Sequence, residues 1–189
     1  MVKTNDRTQY IELEARNVLL RASINGIPID LSKVASSLNV NVHYDSLENN
    51  VSGVLVVKGQ ERHAIINADH HPNRQRFSLA HELGHLMLHN SEGDRLFVDT
   101  NMRVYQRVGS SNDEAYNQPE STTNPYEERE ANRFASALLM PHDLVQREAV
   151  KMDLSEETDI AFLGRTFGVS DQAMSIRLQQ LGLVQLNSL

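Results

Sequence analysis

His81, Glu82 and His85 form a His-Glu-x-x-His spacing inside the run Arg76-Phe77-Ser78-Leu79-Ala80-His81-Glu82-Leu83-Gly84-His85-Leu86-Met87-Leu88-His89. On a helix the two histidines lie one turn apart on one face, with Cα atoms about 6 Å from each other. Imidazoles at that spacing can grip one metal ion from the same side. Glu82 is rotated by about 100° from the histidine line, so it reaches toward a water on the ion rather than toward the ion itself. Two ligands and a general base on one turn is the arrangement for metal-assisted peptide hydrolysis. Zinc is the expected ion, and manganese or iron also suit histidine and carboxylate donors. The metzincin variant is excluded: it needs Gly and His three and six residues past the second histidine, where Leu88 and Ser91 stand. His89 continues the same face but lies about 12 Å along the axis from His81, so it is expected behind the ligands, as a hydrogen-bonding or packing residue.

Such a site needs a third protein ligand. Asn124-Pro125 opens a second helix, with Asn124 as N-cap, Pro125 in the first position and Glu127 where a capping-box carboxylate sits. Ala131, Phe134, Ala135 and Leu138 form its apolar stripe, and Pro141 ends it. Glu128 lies at the edge of that stripe, where a charge must face a partner, and is the candidate third ligand. Glu127 is accounted for by capping, Glu130 points about 100° away from the stripe, and all three acids suit the positive end of the helix dipole. Asn132, one turn after Glu128, can orient it or a ligand histidine. Asp69, His70 and His71 sit beside Pro72 in an expected loop and are weaker ligand candidates. Tyr126, His89, His142 and Arg76 are alternative donors to a tetrahedral oxyanion.

The elements that position these residues follow from periodicity and punctuation. Residues from about Gln9 to Asn25 read as a helix stopped by Gly26, and Asp30 caps a short helix over Leu31 to Leu38. Val40, Val42 and Tyr44 alternate with polar residues. Val51 to Val57 and His63 to Asn67 read as strands around a Lys58-Gly59-Gln60-Glu61 loop, with Gly53 at a bulge or a close approach. Leu96 to Val98 and Val104 to Val108 read as short strands. Gly109 to Asn124 is polar, lacks Lys and Arg, and reads as a mobile insertion. A helix follows from about His142 to Met152. Asp159 to Phe167 and Asp171 to Leu181, joined by Gly168-Val169-Ser170, resemble a helix-turn-helix. The expected fold is α+β: a small, largely antiparallel sheet packed against the His-Glu-x-x-His helix, with further helices at both ends. Residues 1–152 are expected to form the core and residues 153–189 a helix-turn-helix-like subdomain packed on it.

The chain has 189 residues, 40% of them hydrophobic and 23% charged, and no cysteine. No run is long enough for a membrane span, and the polar N-terminus lacks a signal-peptide core. With no disulfide framework, these features point to the cytoplasm. A net charge of −7 argues against a general nucleic-acid surface. Residues 151–189 carry three basic and five acidic side chains, a poor balance for phosphate contacts.

The two motifs together, Arg74 to His89 and Glu128-Arg129-Glu130-Ala131-Asn132-Arg133-Phe134-Ala135-Ser136-Ala137-Leu138-Leu139-Met140-Pro141, resemble the ImmA/IrrE family of zinc-dependent metallopeptidases. Looser similarity extends from about Tyr10 to Leu183, through Val51-Ser52-Gly53-Val54, Ile65-Ile66-Asn67 and Phe167-Gly168-Val169-Ser170. The resemblance implies a zincin-like fold, with metal ligands at His81, His85 and Glu128 and the general base at Glu82. It also implies cleavage of a helix-turn-helix transcriptional repressor, which switches on stress-response or mobile-element genes. At this length the extra DNA-binding or sensor domains of some members are not expected, and the polar stretch Gly109 to Asn124 departs from the compact family core. Two other classes are a non-proteolytic metal-containing regulator that binds a repressor or toxin stoichiometrically, and a DNA-binding protein using the C-terminal helices.

Overall fold

The computed structural model describes residues 4–89, 95–100 and 124–184. The strand expected over Val104 to Val108 lies outside them, as does the insertion expected from Gly109 up to Asn124. The described elements run α1 (Thr4–Arg21), α2 (Leu31–Ser37), β1 (Asn41–Asp45), β2 (Val51–Lys58), β3 (Glu61–Asn67), α3 (Pro72–His89), β4 (Arg95–Thr100), α4 (Pro125–Leu139), α5 (His142–Ala149), α6 (Glu157–Phe167) and α7 (Asp171–Gln180). The fold is α+β and zincin-like. No helix among the described residues is long and apolar enough to cross a membrane.

The four strands are ordered β1-β3-β2-β4; β1 runs parallel to β3, and the other pairs are antiparallel. Leu55 and Val57 of β2, Ala64 and Ile66 of β3 and Phe97 of β4 are buried, while the residues between them are partly open. One face of the sheet therefore builds core, as alternation requires of an antiparallel sheet with one wet side. The β2–β4 register slips between Val51 and Gly53, so Gly53 sits at an irregularity and faces Asp99 across the pair.

Helix α3 departs from the one-sided pattern its apolar residues suggest. Every residue from Ser78 to Leu86 is buried, including His81, Glu82 and His85. A helix covered all round in its middle needs two neighbours. The sheet supplies one and α4 the other. A Cβ on Gly84 would lie 3.1 Å from the Cα and the carbonyl oxygen of Ala131, so the α3–α4 crossing is set by backbone meeting a residue without a side chain.

At the ends of the chain the boundaries shift. Helix α1 stops at Arg21, before Gly26: Ser23 takes a positive φ of 55° and Ile24 N–H donates to the Leu19 carbonyl at 2.9 Å, closing the end without the glycine. Gly168 does close α6, at φ 67°, and the Ser170 side chain caps α7. Arg177 of α7 is buried. It donates to the Met140 carbonyl at 2.9 Å and grips both carboxylate oxygens of Glu12 at 2.6 and 2.8 Å. Arg177 is the one basic residue on α7, and this clamp leaves it unavailable to a phosphate.

Candidate metal centre

Helix α3 brings His81 and His85 onto one line, and their Nε2 atoms lie 3.0 Å apart. Helix α4 opens with Asn124, whose side chain accepts from the Tyr126 N–H at 3.0 Å; Pro125 follows in the first turn. That start points Glu128 at the histidine pair. Its Oε2 lies 3.2 Å from His81 Nε2 and its Oε1 3.2 Å from His85 Nε2. The Oε1 contact has charge proximity without hydrogen-bond alignment, which leaves that buried oxygen unsatisfied. Among the described residues, His81, His85 and Glu128 form a group whose donor atoms all lie within 4.8 Å of one another. Two imidazole nitrogens and a carboxylate converging with an orphaned oxygen fit a divalent cation of the zinc, manganese or iron type.

The far nitrogens of both imidazoles are also engaged. His81 Nδ1 lies 3.0 Å from Asn132 Oδ1, and His85 Nδ1 lies 3.2 Å from His89 Nδ1. An amide oxygen can only accept, so His81 carries its proton on Nδ1 and leaves Nε2 free in the neutral form. The Phe97 ring stacks on His85, with centroids 4.8 Å apart. Asn132 and His89 thus both touch the histidine pair.

Glu82 faces the sheet. Its side chain is fully buried, and neither carboxylate oxygen has a hydrogen-bond partner. It lies over Gly53, where an added Cβ would come within 2.7 Å of Glu82 Oε1. Asp99 of β4, opposite Gly53, is a buried carboxylate in the same field, with an unpartnered Oδ2. Sequence reasoning misses Asp99. The available signal is an acid closing an otherwise apolar strand segment, Leu96-Phe97-Val98-Asp99.

Burial and charge work differently on each group. Burial pulls the His81 imidazole down, but the Glu128 hydrogen bond and the charges of Asp99, Glu82 and Glu128 outweigh it and raise its pKa to about 9. At His85 burial prevails over the pull of the nearby Glu128 carboxylate, aided by the charge on His81, and the pKa falls to about 4. Burial would raise the Glu128 carboxyl, yet the two imidazoles hold it well below the usual carboxylate range. Glu82 is driven well above that range by burial, against the pull of His81, with Asp99 and Glu128 adding to the rise. Burial likewise raises Asp99. The metal-free centre thus holds one positive charge at His81 beside Glu128.

The other sequence candidates fall elsewhere. Asp69 accepts from Ser46, and the His70 carbonyl accepts from the Gln75 side chain at 2.8 Å. His71 is exposed at the start of α3, where its Nδ1 accepts from the Asn73 N–H. Glu127 is half-buried in the first turn of α4, outside the group of converging donors. Arg76 is spent on the carbonyls of Gly168 and Ile29 at 3.1 and 3.0 Å. His89 meets Glu130 at 3.0 Å. Tyr126 is exposed under the Arg129 guanidinium, and His142 is exposed at the start of α5.

A comparison with protein-family models matches residues 35–179 to peptidase M78, described as an IrrE N-terminal-like domain. A search of curated proteins gives no match. The matched span runs from α2 to α7 and contains all three convergent donors and Glu82. The chain belongs to the IrrE N-terminal-like family of metallopeptidases.

Proposed function

We propose that this metallopeptidase is a zinc-dependent endopeptidase that cuts a helix-turn-helix transcriptional repressor in the cytoplasm and so releases stress-response or mobile-element genes. The observation that carries the catalytic half is the convergence of His81 Nε2, His85 Nε2 and Glu128 within 4.8 Å, beside a buried carboxylate that has no partner of its own. The repressor rests on the family resemblance of the two motifs.

His81, His85 and Glu128 are the residues that would hold the ion. Bound there, a divalent cation supplies Lewis acidity for attack of water on a peptide carbonyl. Glu82 accepts the proton of the attacking water and delivers it to the leaving amine. Its unpartnered oxygens keep the carboxylate free for that proton, and the dry surroundings strengthen it as a base. Asn132 fixes the His81 ring through Nδ1. Strand β4 ends the sheet among the described residues and carries Phe97 against His85. An extended substrate segment pairing along that strand would pass the ion, which favours an exposed linker of a folded protein over a random chain.

The test is Glu82→Gln. The amide keeps the size of the side chain and cannot take up the proton. Peptide cleavage should fall by at least about 10²-fold, with zinc stoichiometry unchanged and the repressor still bound in pull-down. Normal turnover would remove Glu82 from the chemistry. Loss of zinc would move it into the coordination shell. Equal cleavage rates for the repressor and unfolded casein would remove the narrow substrate reading.

A further inference from the structure

Two acids on α4, Glu128 and Glu130, lie two residues apart and reach different histidines. Glu128 meets the His81–His85 pair. Glu130 is held in a fork by Arg7 of α1, which donates Nε–H to Oε1 at 2.7 Å and Nη2–H to Oε2 at 2.5 Å. Arg7 itself sits over the Tyr10 ring, 4.9 Å from its centroid. The Glu130 Oε2 atom also lies 3.0 Å from His89 Nε2, and His89 Nδ1 lies 3.2 Å from His85 Nδ1. The His89 side chain is only 6% exposed. Four side chains from three helices form one unbroken line that ends on the ring of His85.

We infer that Arg7, Glu130 and His89 are positioning residues that set the proton on His85 Nδ1 and so turn its Nε2 lone pair toward the metal. A guanidinium only donates, and a carboxylate gripped by it only accepts. His89 must then donate from Nε2. A neutral imidazole that donates from one nitrogen accepts at the other, so His89 Nδ1 accepts. The partner at 3.2 Å is His85 Nδ1, which must be the donor. That leaves Nε2 of His85 unprotonated, on the side where His81 Nε2 and Glu128 converge. His81 reaches the same tautomer by the shorter route of the Asn132 amide. The inference rests on the proposed role of His85 as a ligand.

Zinc affinity, measured by chelator competition on the full chain, tests it. His89→Ala and Glu130→Ala should each weaken binding by about 10- to 100-fold, the range for groups that orient a ligand. His89→Asn should recover most of the loss, because its carboxamide oxygen stands close to where Nδ1 was and can accept from His85. In the His89→Asn background, Glu130→Ala should then change nothing further, since the shorter amide no longer reaches the carboxylate and the line is already cut there. A merely structural Glu130 would give the same loss in both backgrounds. Glu130→Gln and His89→Asn keep side-chain shape and guard against simple misfolding. Glu128→Ala and His85→Ala are run beside them. If those two lose zinc while His89→Ala and Glu130→Ala bind within about twofold of the parent, well short of the effect expected of an orienting group, the positioning line is overturned alone. If Glu128→Ala and His85→Ala keep their zinc, the ligand reading falls and takes the inference with it.

Discussion

Helix α3 meets two neighbours, and both approach it through a glycine. On the α4 side Gly84 lets the Ala131 backbone come close, and Glu128, one turn earlier, reaches His81 and His85. On the sheet side Gly53 leaves room for the Glu82 carboxylate. The surroundings differ in kind. The α4 side crowds donors and acceptors until nearly every polar atom is engaged. The sheet side leaves Glu82 and Asp99 dry, with unpartnered oxygens. One turn of helix thus separates a face suited to hold a cation from a face suited to hold a base. His85, stacked on Phe97, belongs partly to both.

The charge contrast can be broken first, and the effect is the largest. On the α4 side His81 is raised to about 9 and carries a proton on the nitrogen a metal would use. A group with a raised pKa must release its proton for the metal to bind, so affinity rises with pH and levels off above about 9. Between pH 6 and pH 9 zinc affinity should climb by roughly 10²- to 10³-fold, with one proton released per ion near pH 7. Below about pH 4, where His85 also protonates, the dependence should steepen to two protons. Calorimetry in buffers of different ionisation enthalpy counts those protons. A flat profile from pH 6 to 9 would show that His81 is not held by Glu128 as the geometry requires.

The sheet side is broken by Gly53→Ala. The new Cβ would stand 2.7 Å from Glu82 Oε1 and 3.3 Å from its Cγ, closer than atoms pack, so the carboxylate must turn away. Turnover should drop by up to about 10²-fold, as misplacing a reacting group by an ångström can do. Zinc affinity should stay within about threefold, because none of the three donors touches Gly53. In a Glu82→Gln background the same change should add nothing. An added loss there would mean that Gly53 serves the substrate or the sheet rather than the base.

Much of this arrangement can be read from spacing alone. The His81–Glu82–His85 interval places two rings together and the carboxylate apart on any helix, and the structure keeps that division. Asn124-Pro125 announces α4 and its start. What spacing does not carry is the identity of the neighbours. Helix α3 reads as one-sided by its apolar residues, yet the polar residues opposite them are buried by α4 and by the sheet, where Glu82 lies over Gly53 of β2. Both covers lie outside the helix's own run. Asp99 and Arg7 are invisible for the same reason: each reaches the site across the fold, Arg7 through Glu130 123 residues away. The direction of Glu130 on α4 suggests only the helix dipole, because it says nothing of α1. The end of α1 is misplaced because a positive-φ serine closes a helix for which the sequence offers a glycine three residues later as the stop.

The α4 side is broken by Gly84→Ala, with the smallest of the three effects. The added Cβ would meet the Ala131 Cα and carbonyl oxygen at 3.1 Å and the Phe134 ring at 3.2 Å. That is a few tenths of an ångström too close, and the atoms met are mostly backbone. A side chain could rotate; a helix must translate. Helix α4 should move outward and carry Glu128 with it. Zinc affinity should then fall by about tenfold, the low end for a disturbed ligand orientation. Stability of the metal-free protein should fall by about 1–3 kcal/mol, the usual range for overpacking. Turnover per bound zinc should change less, since Glu82 faces the sheet. The partner change Ala131→Gly gives a sharper reading. If the crowding were between side chains, removing the Ala131 methyl would restore affinity. The clash falls on the Cα and carbonyl instead, so Ala131→Gly should not rescue Gly84→Ala. Recovery of parental affinity in the double variant would show that the α3–α4 spacing is set by side-chain packing rather than by the backbone contact at Gly84.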